Sequence, residues 1–224
     1  MASFPTEVTR ICTEEWEFFD RGRRKEYQRK VFGRIGDYWK KLRINNRDGR
    51  TDVNFGGLDK NDPDVIVPDR QNKNPPWSAA FISFVAREAG AGDAFLYSGF
   101  HSKYILAALR EAARSNSTAK FIAKRHTSVT PQVGDLIACG RESAKNATFD
   151  DAESFADNTG FFPSHCDFVI GVDLARKNVL TTGGNVGNSV GRKNWPLNRA
   201  NHIGDTDPRS PSAHVICVIR SLLP

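Results

Sequence analysis

Cysteine is scarce in this sequence, and its spacing argues against the usual metal and redox motifs. Four cysteines occur among 224 residues, and none of them forms a CxxC or CxxH pair. Zinc motifs and dense disulfide frameworks need closely spaced cysteines. We therefore expect reduced, mostly buried thiols, no metal and no cofactor. The four cysteines are Cys12, Cys139, Cys166 and Cys217.

Long apolar runs are missing as well. No stretch approaches the roughly 20 apolar residues that a membrane helix needs, so we expect no membrane span. The opening segment, "MASFPTEVTRICTEEWEFF", lacks the basic start and apolar core of a secretory signal. We therefore expect synthesis in the cytoplasm without a cleaved signal, so that any export requires another route.

Acidic residues are outnumbered, which leaves a formal net charge of +6. Much of the basic excess lies in residues 21–50. A positive surface favours an acidic partner, such as nucleic acid, an anionic membrane surface or the carboxylate-rich bacterial cell wall. The simpler alternative is a solvated helical face. The segment has no recognised nucleic-acid-binding motif, so we do not expect nucleic acid as a partner.

Helical patterns fill the first half of the chain. Residues 6–43 have helical apolar spacing in two pieces, with Gly22 as a plausible break. Residues 44–76 have no sustained period and predict a long loop. Residues 78–89 are apolar nearly all round, which is typical of a central buried helix. A further helix is predicted for residues 101–114.

The second half of the chain predicts strands. Helices followed by strands indicate an α+β fold with an antiparallel sheet. We expect one domain over residues 1–224, with 6–43 as a helical arm packed on it. Predicted strands lie within 131–139, 164–173, 178–185 and 213–221, and polar loops are predicted for 141–162 and 191–212.

Ser78 is the first candidate for chemistry. It lies at the start of the buried helix, where the helix dipole and free backbone N–H groups stabilise developing negative charge. A serine there is a candidate nucleophile if a histidine reaches it. The alternative is a simple N-cap. A capping box would need Glu or Gln at residue 81, where Phe81 stands.

A histidine and its orienting group are predicted on neighbouring strands. His165 opens one strand and Asn185 follows the next, so a hairpin would bring the two side by side at one edge. Asp167 lies two residues after His165, on the same face of a regular strand, and is the rival orienting residue. Alternatively, Asn185 is only a turn residue, because Asn tolerates positive φ.

Other residues near these positions have two interpretations each. Trp77 and His101 are the candidate substrate-binding residues, although Trp77 also fits packing over the helix end and His101 also fits a surface helix start. Cys166 adjoins His165 but points to the opposite face, which favours a core thiol. Residues 183–195 are glycine-rich but lack the phosphate-loop spacing, so we do not expect nucleotide binding.

The order of these features resembles the CHAP and NlpC-type amidases of the papain-like superfamily. In those families a cysteine begins the central helix, a P-x-x-GD segment leads into the first core strand, and histidine starts the next strand. A polar residue on the following strand orients the histidine. The matching places are occupied by Ser78, Pro131–Gly134–Asp135, His165 and Asn185. The sequence departs from the amidase pattern in having serine where those enzymes have cysteine.

A closer resemblance is to the bacterial family known as domain of unknown function 2272, which looks like a divergent relative of these amidases. The resemblance implies a papain-like fold of NlpC/CHAP type with N-terminal helices, a central buried helix and an antiparallel β-sheet. The segments that carry it are "EEWEFF", "GDYWKKL", "PWSAAFISFVAREAG", "FHSKYI", "VGDLIACGR", "SHCDFVIGV" and "GGNVGNSV".

The same resemblance implies a peptidoglycan hydrolase. Such an amidase or endopeptidase would cleave cell-wall peptide amide bonds through Ser78, His165 and Asn185. It would be exported as an antibacterial toxin and act in the periplasm of a target cell. The implied partners are peptidoglycan, a secretion machine and an inhibitor (immunity) protein. The alternative is an inactive papain-like module that binds cell wall or a partner protein, because the thiol is replaced by a hydroxyl.

Overall fold

Two helices open the chain, as the apolar spacing predicts. The computed structural model describes residues 2–26, 28–42 and 76–224. Helix α1 spans Phe4–Phe18 and α2 spans Arg29–Leu42. Between them the chain turns through Gly22, whose φ of +85° is the left-handed conformation that glycine adopts without strain. The predicted break is therefore confirmed.

A buried carboxylate fastens the two helices together. Glu15 on α1 is buried and accepts hydrogen bonds from two residues of α2, the guanidinium of Arg34 and the hydroxyl of Tyr38. A buried carboxylate is tolerated because both partners satisfy it. Helix α1 also packs against the sheet, so the helical arm is joined to the rest of the protein.

The two central helices begin close to the predicted positions. Helix α3 spans Ser78–Glu88 and is buried from Ser78 to Ala86. Helix α4 spans His101–Ala113. The N-cap of α3 is Trp77, and no side chain makes a capping hydrogen bond. The alternative interpretation of Ser78 as a simple N-cap is therefore not supported: Ser78 is the first helical residue, and its hydroxyl makes no capping hydrogen bond.

Seven strands form the sheet within the described residues. All pairings are antiparallel, in the order β1-β7-β2-β3-β4-β5 with β6 paired to β7. The α+β class with an antiparallel sheet is confirmed. The strands are β1 Phe121–Lys124, β2 Leu136–Gly140, β3 Ser164–Asp173, β4 Asn178–Gly183, β5 Gly191–Pro196, β6 Thr206–Asp207 and β7 Ser210–Ser221.

Strands β5 and β6 lie in a segment predicted as a polar loop, and that prediction is wrong. In β5 the side chains alternate, with Lys193 and Trp195 buried on one face and Arg192 half-buried on the other, against Trp16 of α1. The alternation of buried and exposed positions that is typical of a strand is present. However, one buried position holds a lysine, so the sequence of this segment looks polar. Its burial depends on carboxylates from other strands, which a local pattern does not reveal.

The sheet has an apolar core on each face. The larger core is shared with the helices and includes Val8, Phe81, Leu106, Phe168 and Cys217. The smaller one, on the other face, includes Ile137, Val169, Val179, Trp195 and Val218. All four cysteines are free and buried, as expected, and burial raises the pKa of each thiol.

The "VGD" segment has a structural role. Asp135 accepts hydrogen bonds from the backbone N–H of Gln132 at 2.8 Å and of Ser221 at 3.1 Å. The Arg220 guanidinium also donates to it at 3.0 Å. These contacts close the turn before β2 and join it to the end of β7.

Two further sequence predictions concern the long loop and the membrane. The predicted loop over residues 44–76 lies outside the described residues except for its last position. Among the helices within the described ranges, none has the length and apolar character to cross a membrane.

Candidate active site

Helices α3 and α4 begin at the same place, and their first side chains are hydrogen-bonded. Ser78 Oγ lies 2.7 Å from His101 Nε2. Both residues are largely buried, with 9% and 5% of their surfaces exposed. Neither helix has a side-chain cap, so the N–H groups of both first turns remain uncapped by side chains. The positive ends of two helix dipoles therefore lie next to this pair.

Tyr104 holds the other nitrogen of the His101 ring. Its hydroxyl is hydrogen-bonded to His101 Nδ1 from one turn further along α4. When the Tyr104 oxygen accepts the Nδ1 proton, the lone pair of Nε2 faces Ser78. In that tautomer the neutral imidazole can accept the Ser78 hydroxyl proton.

The surroundings of His101 favour its neutral form. Burial lowers the pKa of His101 well below its ordinary value of 6.5, and the neighbouring His165 lowers it further. The negative charge of Asp167 acts in the opposite direction but does not outweigh burial. His101 therefore presents a lone pair, rather than a positive charge, at neutral pH.

The second histidine is paired with a carboxylate. His165 Nε2 lies 2.9 Å from Asp167 Oδ1, and the His165 side chain is 12% exposed. The two residues share one face of β3, as the alternation of a strand requires. The rings of His101 and His165 meet edge to face with centroids 5.2 Å apart. One site thus contains Ser78 and both histidines, and the hydrogen-bond partner of Ser78 is His101.

The orienting position beside His165 is occupied by Asp167. Asn185 lies beyond β4 in a left-handed turn conformation with φ of +57°, and within the described ranges no hydrogen bond joins it to His165. The structure therefore brings the rival residue, Asp167, to the histidine. Its contacts favour Asp167 as the orienting group and a turn role for Asn185.

The glycines before Asn185 explain why this segment lies so close to the site. A side chain at Gly183 would place its Cβ well inside contact distance of Asp167 Oδ1 and 3.2 Å from His165 Nε2. A Cβ at Gly184 would lie 2.5 Å from Phe81 Cβ. Glycine is needed at both positions so that the chain can pass over the carboxylate and the central helix.

Asp167 belongs to a buried chain of alternating charges. Lys193 Nζ lies 2.9 Å from Asp167 Oδ2 and 2.8 Å from Asp207 Oδ2. Arg141 then contacts the same Asp207 oxygen at 2.7 Å. Strand β4 lies between β3 and β5, so the side chains of Asp167 and Lys193 meet across β4. The contact passes over Gly183, which has no side chain to block it.

These ion pairs outweigh the cost of burying the charges. Burial alone would raise the pKa of Asp167. Lys193 and His165 have the larger, opposite effect, so the pKa of Asp167 lies well below its usual range. Burial alone would lower the pKa of Lys193. The negative charges of Asp167 and Asp207 outweigh this effect, so the pKa of Lys193 is raised. The pKa of Asp207 is lowered, because Lys193 outweighs the effect of burial. All three groups are therefore ionised at neutral pH.

Trp77 lies in the core beside this site. Its buried indole stacks between Phe19 and Tyr38, with ring centroids 5.7 Å and 5.9 Å away. Its Nε1–H donates a hydrogen bond to Glu26 at 2.7 Å. These surroundings favour the packing interpretation of Trp77, which fixes the start of α3, over contact with a substrate. No group of three or more metal-ligating side chains occurs in the part of the chain that the structure describes.

Comparison with known proteins identifies a family. A family model described as "Uncharacterized protein conserved in bacteria (DUF2272)" matches residues 26–218. The chain belongs to this bacterial family. The range matched by DUF2272 contains the whole candidate site, whereas α1 precedes it. No curated protein and no solved structure matches the chain.

Three parts of the site in this DUF2272 chain were not anticipated from the sequence. The role of His101 as the partner of Ser78 has a local signal, because "HSKY" places His101 and Tyr104 three residues apart on one helix face. Lys193 and Asp207 have no such signal. They meet Asp167 only through the strand order, in a segment whose polar composition favours a loop.

Proposed function

We propose that the protein is a hydrolase of amide bonds in which Ser78 is the nucleophile and His101 is the base. The observation that supports this most strongly is the 2.7 Å contact between Ser78 Oγ and His101 Nε2 at the start of a buried helix. A serine hydroxyl needs its base in direct hydrogen-bond contact, and this distance is within that range.

The proposed reaction is acyl transfer to serine followed by hydrolysis. Ser78 Oγ attacks the amide carbonyl while His101 Nε2 takes the hydroxyl proton. His101 returns that proton to the leaving amine as the C–N bond breaks, which leaves an ester on Ser78. A water molecule then attacks the ester while His101 Nε2 takes its proton, and that proton passes to Ser78 Oγ as the bond between the acyl carbon and Ser78 Oγ breaks and the carboxylic acid leaves. Uncapped N–H groups at the start of α3 would stabilise the oxyanion in both steps.

Within this proposal, the arrangement expected from the sequence is modified in two roles. His165 as the base of Ser78 and Asn185 as its orienting residue remain untested predictions. The hydrogen bonds support His101 for the first role and Asp167 as the partner of His165. His165 then lies beside the proposed base, with ring centroids 5.2 Å apart.

We further propose that the substrate is peptidoglycan and that the fold is papain-like. The support is the resemblance to the CHAP and NlpC-type amidases, in which a nucleophile begins a central helix and histidine opens a strand. A net charge of +6 also suits a carboxylate-rich polymer. Export as an antibacterial toxin into the periplasm of a target cell, with an inhibitor protein as partner, belongs to the same proposal.

Digestion of purified peptidoglycan tests the function directly. The protein is expected to release fragments whose masses identify the cleaved bond. Ser78→Ala and His101→Gln should each lower the rate by about 10³-fold or more, as loss of a nucleophile or base does. Ser83→Ala is the matched control, because Ser83 is buried in the same helix but its hydroxyl contacts Ser98. Digestion by both site variants at the wild-type rate would disprove the assigned roles.

A second candidate function is binding without chemistry. The observation that favours it is the serine at the nucleophile position, which is only 9% exposed and less ionisable than a thiol. This alternative predicts that insoluble peptidoglycan retains the protein while no new fragment forms. Wild-type and Ser78→Ala proteins would then be retained equally. Release of defined fragments by the wild type alone rules this alternative out.

A further inference from the structure

We propose that Arg141 binds a carboxylate of the substrate, so that the site takes acidic peptides with a free carboxylate in the residue next to the cleaved amide. This inference rests on the proposed function, and it narrows the substrate class of that site. Arg141 determines specificity and takes no part in the chemical steps.

Arg141 lies beside His165, directly after the end of β2. Cys139 is paired with His165 across β2 and β3, and the backbone N–H of Arg141 donates to the carbonyl of Pro163 at 3.0 Å. The backbone of Arg141 is still extended, with φ of −139° and ψ of 158°. Side chains alternate along an extended chain, so Arg141 faces the same side of the sheet as Cys139 and His165. Arg141 and His165 are therefore diagonal neighbours on that face.

Arg141 is the solvent-exposed end of the charge chain, which consists of Asp167, Lys193, Asp207 and Arg141. The side chains of Asp167, Lys193 and Asp207 are almost completely buried, with 2%, 5% and 0% exposed. The side chain of Arg141 is 27% exposed. A ligand from solvent can therefore contact Arg141 without displacing the three buried groups.

The guanidinium of Arg141 has hydrogen-bond donors to spare. Its Nη2 donates to Asp207 Oδ2 at 2.7 Å, and its Nη1 makes a long contact of 3.4 Å with the carbonyl of Gly140. A guanidinium has five N–H donors in a planar fork that matches a carboxylate. Because Asp207 occupies one edge of this fork, another edge is left for a second carboxylate, which can accept two parallel hydrogen bonds.

Asp207 does not depend on Arg141 alone. It also accepts hydrogen bonds from Lys193 Nζ at 2.8 Å and from the backbone N–H of Arg209 at 2.9 Å. These two donors continue to satisfy Asp207 when the guanidinium of Arg141 turns toward a ligand. The same two donors make a substitution of Arg141 compatible with the fold.

The charge of Arg141 also acts on the proposed base. Burial is the largest cause of the lowered pKa of His101, and the positive charge of Arg141 contributes in the same direction. Such effects weaken with distance. Arg141 is therefore near enough to the Ser78–His101 pair to contact the residue next to the bond that Ser78 attacks.

Binding of two matched peptides tests the proposal. The probes are a purified cell-wall stem peptide with free carboxylates and the same peptide with its carboxylates converted to amides. Calorimetry with Ser78→Ala protein, which lacks the proposed nucleophile, measures both dissociation constants. The acid form is expected to bind roughly 10-fold to 100-fold more tightly, as hydrogen bonds to charged groups do. Adding Arg141→Gln should abolish this preference, whereas a purely structural role of Arg141 affects both peptides alike.

Arg110→Gln is the matched control. Arg110 is an exposed arginine that pairs with Glu153 at 2.6 Å. It lies nine residues after His101 on α4, roughly 13 Å along the helix axis. The substitution removes the same charge at a distance from the site, so the preference for the acid form should stay at the wild-type value. An equal loss in Arg110→Gln and Arg141→Gln would assign the effect to net charge and overturn the proposal.

Cleavage kinetics separate this inference from the proposed function. Arg141→Gln should raise KM for the acid peptide and change kcat little, because the carboxylate contact is the same in the ground state and the transition state. A preference in binding without any cleavage counts only against the proposed chemistry. Cleavage with an unchanged preference in Arg141→Gln counts only against the role of Arg141.

Two further results contradict the proposal. One is equal binding of the acid and amide peptides by the Ser78→Ala protein. The other is a preference for the acid form that Arg141→Gln leaves unchanged. If Arg141→Gln does not fold, Arg141→Lys replaces it. An ammonium cannot form the two parallel hydrogen bonds of a guanidinium, so a partial loss of the preference is expected, and an unchanged preference counts against the proposal.

Discussion

Gly183→Ala tests the arrangement of the site through stability alone. A Cβ at this position lies well inside contact distance of Asp167 Oδ1 and 3.2 Å from His165 Nε2. Asp167 has no free direction in which to move, because Lys193 and His165 hold its two oxygens. The added methyl must therefore either break one of these hydrogen bonds or displace β4.

The expected cost follows from overpacking at a buried position. Inserting a methyl group into a packed interior costs about 1–3 kcal/mol. For a chain of 224 residues this corresponds to a fall in Tm of roughly 2–12 °C. Urea unfolding and thermal unfolding of purified Gly183→Ala measure the two quantities.

Gly204→Ala is the matched control. A Cβ at Gly204 meets no atom within 4 Å, and Gly204 is not among the glycines with positive φ. Its unfolding free energy is therefore expected to stay within about 0.5 kcal/mol of the wild type. Equal stability of Gly183→Ala and Gly204→Ala would show that the Asp167 carboxylate does not lie next to Gly183.

Three further predictions follow. Because the pKa of His101 is lowered, its contribution to stability is complete above pH 6.5 and is lost as the pH falls below that value. The unfolding free energy measured with urea should therefore differ less between pH 7.5 and pH 5 in His101→Gln than in the wild type. Asp167 has a lowered pKa too, so its stabilising effect should be lost only below pH 3.8, which acid unfolding of Asp167→Asn against wild type measures. Trp77→Phe leaves the buried Glu26 without its indole donor and should cost about 1–3 kcal/mol by urea unfolding, whereas an unchanged unfolding free energy would contradict that hydrogen bond.

The elements that the sequence predicts well are those whose side chains bury apolar surface. Helix α3 is apolar from Ala79 to Ala86 apart from Ser83, and strand β3 follows the predicted range of 164–173. In both elements the local period and the burial agree, so the chain itself contains the information.

Strand β5 and the partner of Ser78 mark where local patterns stop being informative. Lys193 faces inward because Asp167 and Asp207 neutralise it, and both come from other strands. Reading the segment alone therefore favours a loop. In the same way, Ser78 was expected beside His165 from the order of motifs. The starts of α3 and α4 lie together, so that His101 is its hydrogen-bond partner.

Asn185, the predicted orienting residue, shows a third kind of difference between the sequence prediction and the structure. The "GGN" segment does reach the site, but its contribution there is the absence of side chains at Gly183 and Gly184. The polar residue that follows adopts the left-handed turn with φ of +57°. Sequence patterns favour Asn185 because it can form hydrogen bonds, whereas the structure uses this segment to give Asp167 room.

The site is assembled from two parts of the chain that are far apart in sequence. Ser78 and His101 are 23 positions apart and begin two helices, while His165, Asp167 and Lys193 belong to the sheet. The edge-to-face contact between His101 and His165 joins the two halves. The Ser78–His101 pair and the charges that surround it can therefore be altered separately. Substitutions in the sheet change the charges beside the site without moving Ser78, whereas a shift of α4 against α3 separates Ser78 from His101 and leaves the ion pairs of Asp167, Lys193 and Asp207 intact.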